Sequence, residues 1–285
     1  MTKMFITLMV GPVWLSLFVA ATPAAGQTLN LASVDQDQPI EIFADDGIEW
    51  QQDNEVLIAR GNAKAIRSNV SISGEILRAY YRKKKSGGTD LSRIDAVGNV
   101  VIESPTEKIT GDAAVYDLEK AILLVSGKKV VFKSGPDVIT ATRQMEYYER
   151  AQKAVARGNA TVNHNGKTIR ANVLVAYLRK NRKGNTEIYK VDAHDNVVIV
   201  TKEEIVRARQ GIYDVIAATV TLMGDVRITR GQNQLSGDQA IINLNTGISK
   251  LLTVARAKSG PTDKKGKRKV RGLLMPHRPG PGKKR

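Results

Sequence analysis

The chain of 285 residues contains no cysteine, which excludes a disulfide framework and thiolate metal sites alike. Its three histidines, His164, His194 and His277, stand too far apart in sequence to read as a metal-ligand pair. Aromatic residues make up 5%, thin for a platform that stacks nucleobases. There is no Gly-x-x-x-x-Gly-Lys-Ser/Thr loop, no Gly-x-Ser-x-Gly and no Gly-x-Gly-x-x-Gly, so no nucleotide site or nucleophile elbow announces itself. Ser126-Gly127-Lys128-Lys129 fits Ser-x-x-Lys, a short pattern of high chance rate that falls on a repeat turn. Asp45/Asp46, Asp112 and Asp238 recur at equivalent turn positions, which is how structural carboxylates behave. The reading is a non-enzyme without cofactor or metal. Beyond the first residues, no run is long and apolar enough to span a bilayer.

Apolar residues at 42% and charged residues at 25% give an ordinary globular mixture. The net charge is +16, but its placement is uneven. From Arg256 to Arg285 there are 12 Lys/Arg against the single Asp263, or +11, which leaves +5 for the rest. A charge confined to a tail with few interleaved aromatics argues against a nucleic-acid partner. Residues 254–285, with Gly260-Pro261, Lys264-Lys265-Gly266-Lys267-Arg268-Lys269 and Pro276 to Gly282, read as a disordered basic tail. Attraction to an anionic phosphate or membrane and unstructured solubility ballast stand as its two readings.

Met1-Thr2-Lys3, an apolar stretch from Met4 to Ala21 and the small-residue exit Ala24-Ala25-Gly26 form the pattern of an export signal over residues 1–26. A retained anchor is the rival, because the stretch approaches the lower limit for a membrane helix. Gly11-Pro12 interrupts it. An exported chain without cysteine suits a bacterial periplasm, where disulfides are permitted but not required.

The body is a repeat. Ala59-Arg60-Gly61-Asn62-Ala63 returns as Ala156-Arg157-Gly158-Asn159-Ala160, an offset of 97 residues. Carried forward, the offset makes 19 of the 44 positions from Ala59 to Ile102 identical. Within each half a smaller unit recurs, a small residue, often an acid next, then an aromatic five or six positions on. Ala44-Asp45…Trp50, Gly74-Glu75…Tyr80, Gly111-Asp112…Tyr116 and Ala171-Asn172…Tyr177 are examples. Between these lie Gly61-Asn62, Gly98-Asn99, Gly158-Asn159 and Gly224-Asp225, with Asp195-Asn196 a variant, read as turns because those residues accept positive φ. Apolar residues alternate with period two, as in Val70/Ile72, Val100/Ile102 and Val226/Ile228. Arg143 to Val155 looks locally helical, but the repeat places it among strands. Each unit has an apolar face that it cannot bury alone, so stacking must supply the core. The expectation is an all-β stack of antiparallel strands over residues 37–253.

Two cationic insertions occupy equivalent places, Arg82-Lys83-Lys84-Lys85-Ser86-Gly87-Gly88 and Arg179-Lys180-Asn181-Arg182-Lys183-Gly184-Asn185. In register, they emerge on one side of the stack. They read either as solvated hairpin loops or as contacts to phosphates on a ligand or membrane surface, with Arg82, Lys83, Lys84, Lys85, Arg179 and Lys180 as candidates.

Gln38-Pro39-Ile40-Glu41-Ile42-Phe43-Ala44-Asp45, followed by the Gly-Asn repeat and the small-acid…Tyr units, resembles the LptA/OstA-like family over about Gln38 to Leu252. That resemblance implies a jelly-roll-like twisted stack, open as a V-shaped groove with an apolar interior. It further implies shielding of lipopolysaccharide (lipid A) acyl chains between an LptC-like inner-membrane protein and an LptD-like outer-membrane protein, with head-to-tail homo-oligomers. Ile40 and Ile42 match family positions associated with lipid contact. Trp50, Val70, Ile72, Val100, Ile102, Ile109, Val197 and Ile199 are added from alternation alone, and each serves equally as core packing. The chain departs from the family in carrying more units and a longer basic tail. A membrane-anchored LptC-like component and an exported spacer without lipid binding remain the alternatives. The end strands are expected at Gln38 to Ala44 and Gln239 to Leu252, where exposed edges would invite pairing between copies.

Overall fold

A computed structural model of the chain describes residues 38–83, 88–164, 166–182, 186–246, 248–253 and 270–273. The export signal read over 1–26, Lys84, Lys85 and most of the basic tail lie outside the described residues.

The described residues form strands and turns throughout, as period-two alternation of β-branched residues dictates. The first half contains β1 (Glu41–Phe43), β2 (Gly47–Gln51), β3 (Val56–Arg67), β4 (Val70–Lys83), β5 (Thr89–Glu103), β6 (Glu107–Asp117), β7 (Ile122–Ser126) and β8 (Val130–Ser134). The second contains β9 (Asp137–Ala141), β10 (Gln144–Tyr148), β11 (Lys153–His164), β12 (Lys167–Lys180), β13 (Thr186–Val200), β14 (Ile205–Asp214) and β15 (Thr219–Arg230). Then follow β16 (Asn233–Asn243), β17 (Ser249–Leu252) and β18 (Arg271–Leu273). All pairings are antiparallel, and the chain meanders from one end of the stack to the other. Gln144–Tyr148 is strand, as the repeat required of the locally helical stretch.

The Gly-Asn signals have the predicted positive φ but not the predicted place. Gly61 and Asn62 (φ 76° and 43°), Gly98 and Asn99 (81° and 47°), Gly158 and Asn159 (87° and 43°), Asp195 and Asn196 (60° and 55°) and Gly224 and Asp225 (80° and 50°) lie inside single long strands. Each is a β-bulge in which two residues oppose one on the next strand. The opposed residues are Glu75, Asp112, Asn172, Arg209 and Asp238, the positions after the small residue of each unit. The two sequence signals are therefore the two sides of one corner. Asn62 donates to Asp45 Oδ2 at 2.7 Å and Asn99 to Glu75 Oε1 at 2.9 Å. A Cβ on Gly61 would stand 2.9 Å from the Asp46 backbone nitrogen, so the close approach as well as φ requires glycine there.

The line of corners divides the stack into two arms. β1, β8, β9 and β18 lie wholly in the first arm and β2, β7, β10 and β17 in the second, while the long strands run through both. Directly opposed partners in the first arm form one apolar row, beginning Ile42, Ala65, Ile72, Ile102, Ile109 and Phe132. It continues through Ile139, Val162, Ile169, Ile199, Val206, Ile228 and Leu235 to Gly272. In the second arm a row runs from Trp50 through Leu57, Ala79, Ile94, Tyr116 and Leu123 to Tyr147, and ends at Val220, Ile242 and Ser249. Residues of both arms share one core, with Ile72, Ala96, Val125 and Leu222 among its most buried members. Each fully buried large side chain stabilises the fold by about 1.5–3 kcal/mol.

The duplication is exact in register at the start of each half. Ile42 opposes Ala65 as Ile139 opposes Val162, and β2 lies on β3 as β10 lies on β11. In the middle of the stack, β7 and β8 cover the other edge of β10 and β9. Of the ends expected from sequence, Gln38 to Ala44 holds β1 and Gln239 to Leu252 holds β17, while β2 and β18 complete the two ends from outside those ranges. The basic tail differs from its disordered reading at one place: Arg271–Leu273 pair with Ser236–Gln234 of β16.

Candidate functional site

At the leading end the two arms part and leave a cleft of about 410 Å³. Ile40 and Ile42 line it from the first arm; Trp50, Leu57, Tyr81 and Leu91 line it from the second. It opens here because β1 and β2 are short, lie only against β3, and leave the ends of the apolar rows uncovered by a further described strand. Trp50, 62% exposed, donates from Nε1 to the Tyr81 hydroxyl at 2.6 Å, which fixes the indole across the second arm. Arg67 is buried and donates from Nε to the Gln38 carbonyl at 3.2 Å, tying the leading segment to β3. Gln38, Arg67, Thr89 and Asp90 also line it, so polar and apolar atoms share the surface of the cleft about equally. A concavity that sets apolar side chains from both arms against a polar margin is a candidate ligand site.

The sequence-chosen residues divide in two. Ile40, Ile42 and Trp50 come together in this cleft. Ile72, Ile102, Ile109 and Ile199 stand in the row that Ile42 begins, but Ile72 and Ile102 are fully buried, Ile109 is buried and Ile199 half-buried. Val70, Val100 and Val197 are also buried. Away from the leading end the interior is packed with its own side chains. Leu57, Tyr81, Leu91 and Arg67 were not singled out by sequence. Tyr81 was hidden by its neighbour: the ladder slips between Tyr80 and Tyr81, so simple alternation misassigns the face.

The paired 14- and 15-residue strands that flank each cationic insertion end at the same edge of the second arm. Arg82 Nη1 lies 2.7 Å from Glu119 Oε1, and Arg179 Nε donates to Glu187 Oε1 at 2.8 Å while covering the Tyr189 ring. Lys83 and Lys180 are exposed at the strand ends. Among the described residues no group of three or more His, Cys, Asp or Glu could hold a metal ion.

The outer face carries the strongest electrostatics. Glu146 is buried among donors: Arg157 Nε at 2.7 Å, the Tyr148 hydroxyl at 2.7 Å and Gln144 Nε2 at 2.6 Å. Burial pushes its carboxyl upward, but the hydrogen bonds from Arg157, Tyr148 and Gln144 outweigh this and hold it below the usual glutamate range. Arg93 with Asp95 beside Tyr80 recurs 97 positions on as Lys190 with Asp192 beside Tyr177. These clusters brace the sheet rather than face the cleft.

The family described as LptA/(LptD N-terminal domain) LPS transport protein matches the chain twice, over residues 41–147 and 139–248. The two matches meet at the boundary between the duplicated halves. An uncharacterized protein of Rhizobium meliloti (strain 1021) is 28% identical over 122 residues, covering 41% of this chain and 63% of that protein. The chain thus matches less than two thirds of the length of that curated relative. A crystal structure of LptH from Pseudomonas aeruginosa, described as the LptA homologous periplasmic component of the lipopolysaccharide transport device, matches at 10% identity. It covers 85% of this chain and 99% of that one with a TM-score of 0.21. With two successive family matches that together run from residue 41 to 248, the chain belongs to the LptA/(LptD N-terminal domain) family of LPS transport proteins.

Proposed function

We propose that the chain works in the periplasm as a lipopolysaccharide-binding transport protein. It shields lipid A acyl chains between its arms and bridges an LptC-like inner-membrane protein and an LptD-like outer-membrane protein by head-to-tail strand pairing. The observation that carries this reading is an apolar row unbroken from Ile42 to Leu235 that begins in the open cleft of Ile40, Ile42 and Trp50. Each acyl CH₂ withdrawn from water is worth about 0.8 kcal/mol, so a chain of about a dozen carbons costs roughly 10 kcal/mol to expose. Such a lipid crosses an aqueous space only inside a continuous apolar path. Acyl chains enter at Ile40 and Ile42, and deeper contact with Val70, Ile72, Val100, Ile102, Ile109, Val197 and Ile199 requires the arms to separate. Lys83, Lys84, Lys85 and Lys180, with Arg82 and Arg179 released from their carboxylate partners, meet the lipid's phosphates. The chain lacks a recognisable nucleotide motif, so energy for directional movement comes from a partner.

The experiment is binding of fluorescent lipopolysaccharide to the purified chain and to Ile42→Glu. A charge buried against acyl chains weakens binding about tenfold or more. A wild-type chain that binds no lipopolysaccharide overturns the reading. That outcome favours the spacer alternative, for which the filled interior beyond the cleft is the specific observation.

A further inference from the structure

The two ends of the stack are complementary, and we infer that they join in one register in which Lys250 of one copy faces Glu49 of the next. The inference rests on the head-to-tail reading above and assigns its contacts. Every step from β1 to β18 is antiparallel and the number of steps is odd, so β18 runs antiparallel to β1 and β17 to β2. A second copy placed beyond β17 and β18 continues the ladder in the correct sense, in both arms. β16 alone runs parallel to β1. The three residues of the basic tail seen in β18 thus supply the first arm's final strand, without which that arm stops one strand short.

The rows fix the register. The first-arm row that starts at Ile42 ends at Gly272, so continuity sets Gly272 opposite Ile42 of the next copy. The second-arm row that starts at Trp50 ends at Ser249. Its inner neighbour starts at Ile48 and ends at Leu251, opposed to Ala240. Ser249 facing Trp50 and Leu251 facing Ile48 are one and the same antiparallel register. Between them on the outer face that register sets Lys250 opposite Glu49, an opposite-charge cross-strand pair.

Charge and exposure point the same way. The segment from Glu41 to Gln51 holds Glu41, Asp45, Asp46 and Glu49 and no cation, whereas β17 and β18 bring Lys250 and Arg271 and no acid. The +11 of residues 256–285 adds long-range attraction for that acidic end. The exposed large apolar residues Phe43, Ile48 and Trp50 at one end match Leu252, Val270 and Leu273 at the other. The occupant is a second copy of this chain. A head-to-tail contact of this kind extends without closing.

The test is sedimentation of the full chain at low salt, comparing wild type with Lys250→Glu, Glu49→Lys and the double charge swap. Each single reversal weakens association about tenfold and the double variant recovers most of it. A second measurement uses the absence of native cysteine. In Ile42→Cys/Gly272→Cys the two ends lie about 60 Å apart along one stack, so an oxidised ladder of multimers is intermolecular. Single reversals without effect, a double variant no better than the singles, or no disulfide ladder overturn the register. A wild-type chain that stays monomeric while binding lipopolysaccharide overturns register and head-to-tail bridging together and leaves lipid shielding standing.

Discussion

Arg157 donates from Nε to Glu146 Oε1 at 2.7 Å, and 97 positions earlier Arg60 and Glu49 repeat the pair at 3.7 Å. The difference is cover. β7 lies against β10 in the middle of the stack, so Glu146 is 7% exposed, while Glu49 at the leading end is 53% exposed. Glu146→Gln, which removes a buried charge from beneath a guanidinium, should destabilise the protein by about 2–4 kcal/mol. Glu49→Gln should stay within about 0.5 kcal/mol. Urea unfolding of the two variants makes the comparison.

Glu146 also sets a pH dependence. Burial raises its pKa and the hydrogen bonds from Arg157, Tyr148 and Gln144 lower it by more, so the folded value lies below the ordinary 4.5. A depressed folded pKa gives stability that is present above the unfolded value and lost as pH falls through the folded one. The gap between wild type and Glu146→Gln should hold from neutral pH to about 4.5 and shrink below it. Urea midpoints taken from pH 7 to pH 3 report it.

The corners predict a contrast between glycines. Gly61 has φ +76° and a Cβ there would collide with the Asp46 backbone, whereas Gly135, at φ +52°, has nothing within 4 Å of that position. Gly135→Ala should cost about 1–2 kcal/mol for the left-handed backbone alone. Gly61→Ala should cost at least 1 kcal/mol more, because the corner must open. Thermal melts of both variants decide it.

Position along the first-arm row should govern the cost of truncation. Ile102 is 1% exposed in the packed middle, while Ile42 is half-buried at the cleft. Ile102→Ala should cost about 2–5 kcal/mol and Ile42→Ala markedly less, because part of its surface is already in water. Bound lipopolysaccharide should raise the melting temperature of wild type by mass action and lose that effect in Ile42→Glu.

The sequence carried the architecture because its signals are periodic. Alternation names strands, the 97-residue offset names the halves, and both survive in the ladder that joins Ile42 to Ala65 and Ile139 to Val162. The Gly-Asn pairs were legible as positive φ but not as corners, since a bulge inside a strand and a turn between strands use the same residues. Ile40 and Ile42 were reached through the family resemblance and Trp50 through alternation, and all three line the leading cleft. Tyr81 and Leu91 were not reached, since the slip after Tyr80 cannot be seen without the partner strand. Nor does alternation distinguish Ile42, open to the cleft, from Ile72, sealed in the core. Both point inward, and only their position along the stack differs. Arg271–Leu273 escaped for another reason: its basic surroundings read as solvated chain, while the edge of β16 supplies the pairing that three residues alone cannot.

The most direct measurement is in-cell photocrosslinking from position 42, with position 41 as the control, followed by detection of lipopolysaccharide. Ile42 lines the cleft while Glu41, its neighbour on β1, is exposed on the opposite face. Lipid adducts at 42 and none at 41 are the predicted result. No lipid adduct at 42, from a stable and exported protein, would contradict the account.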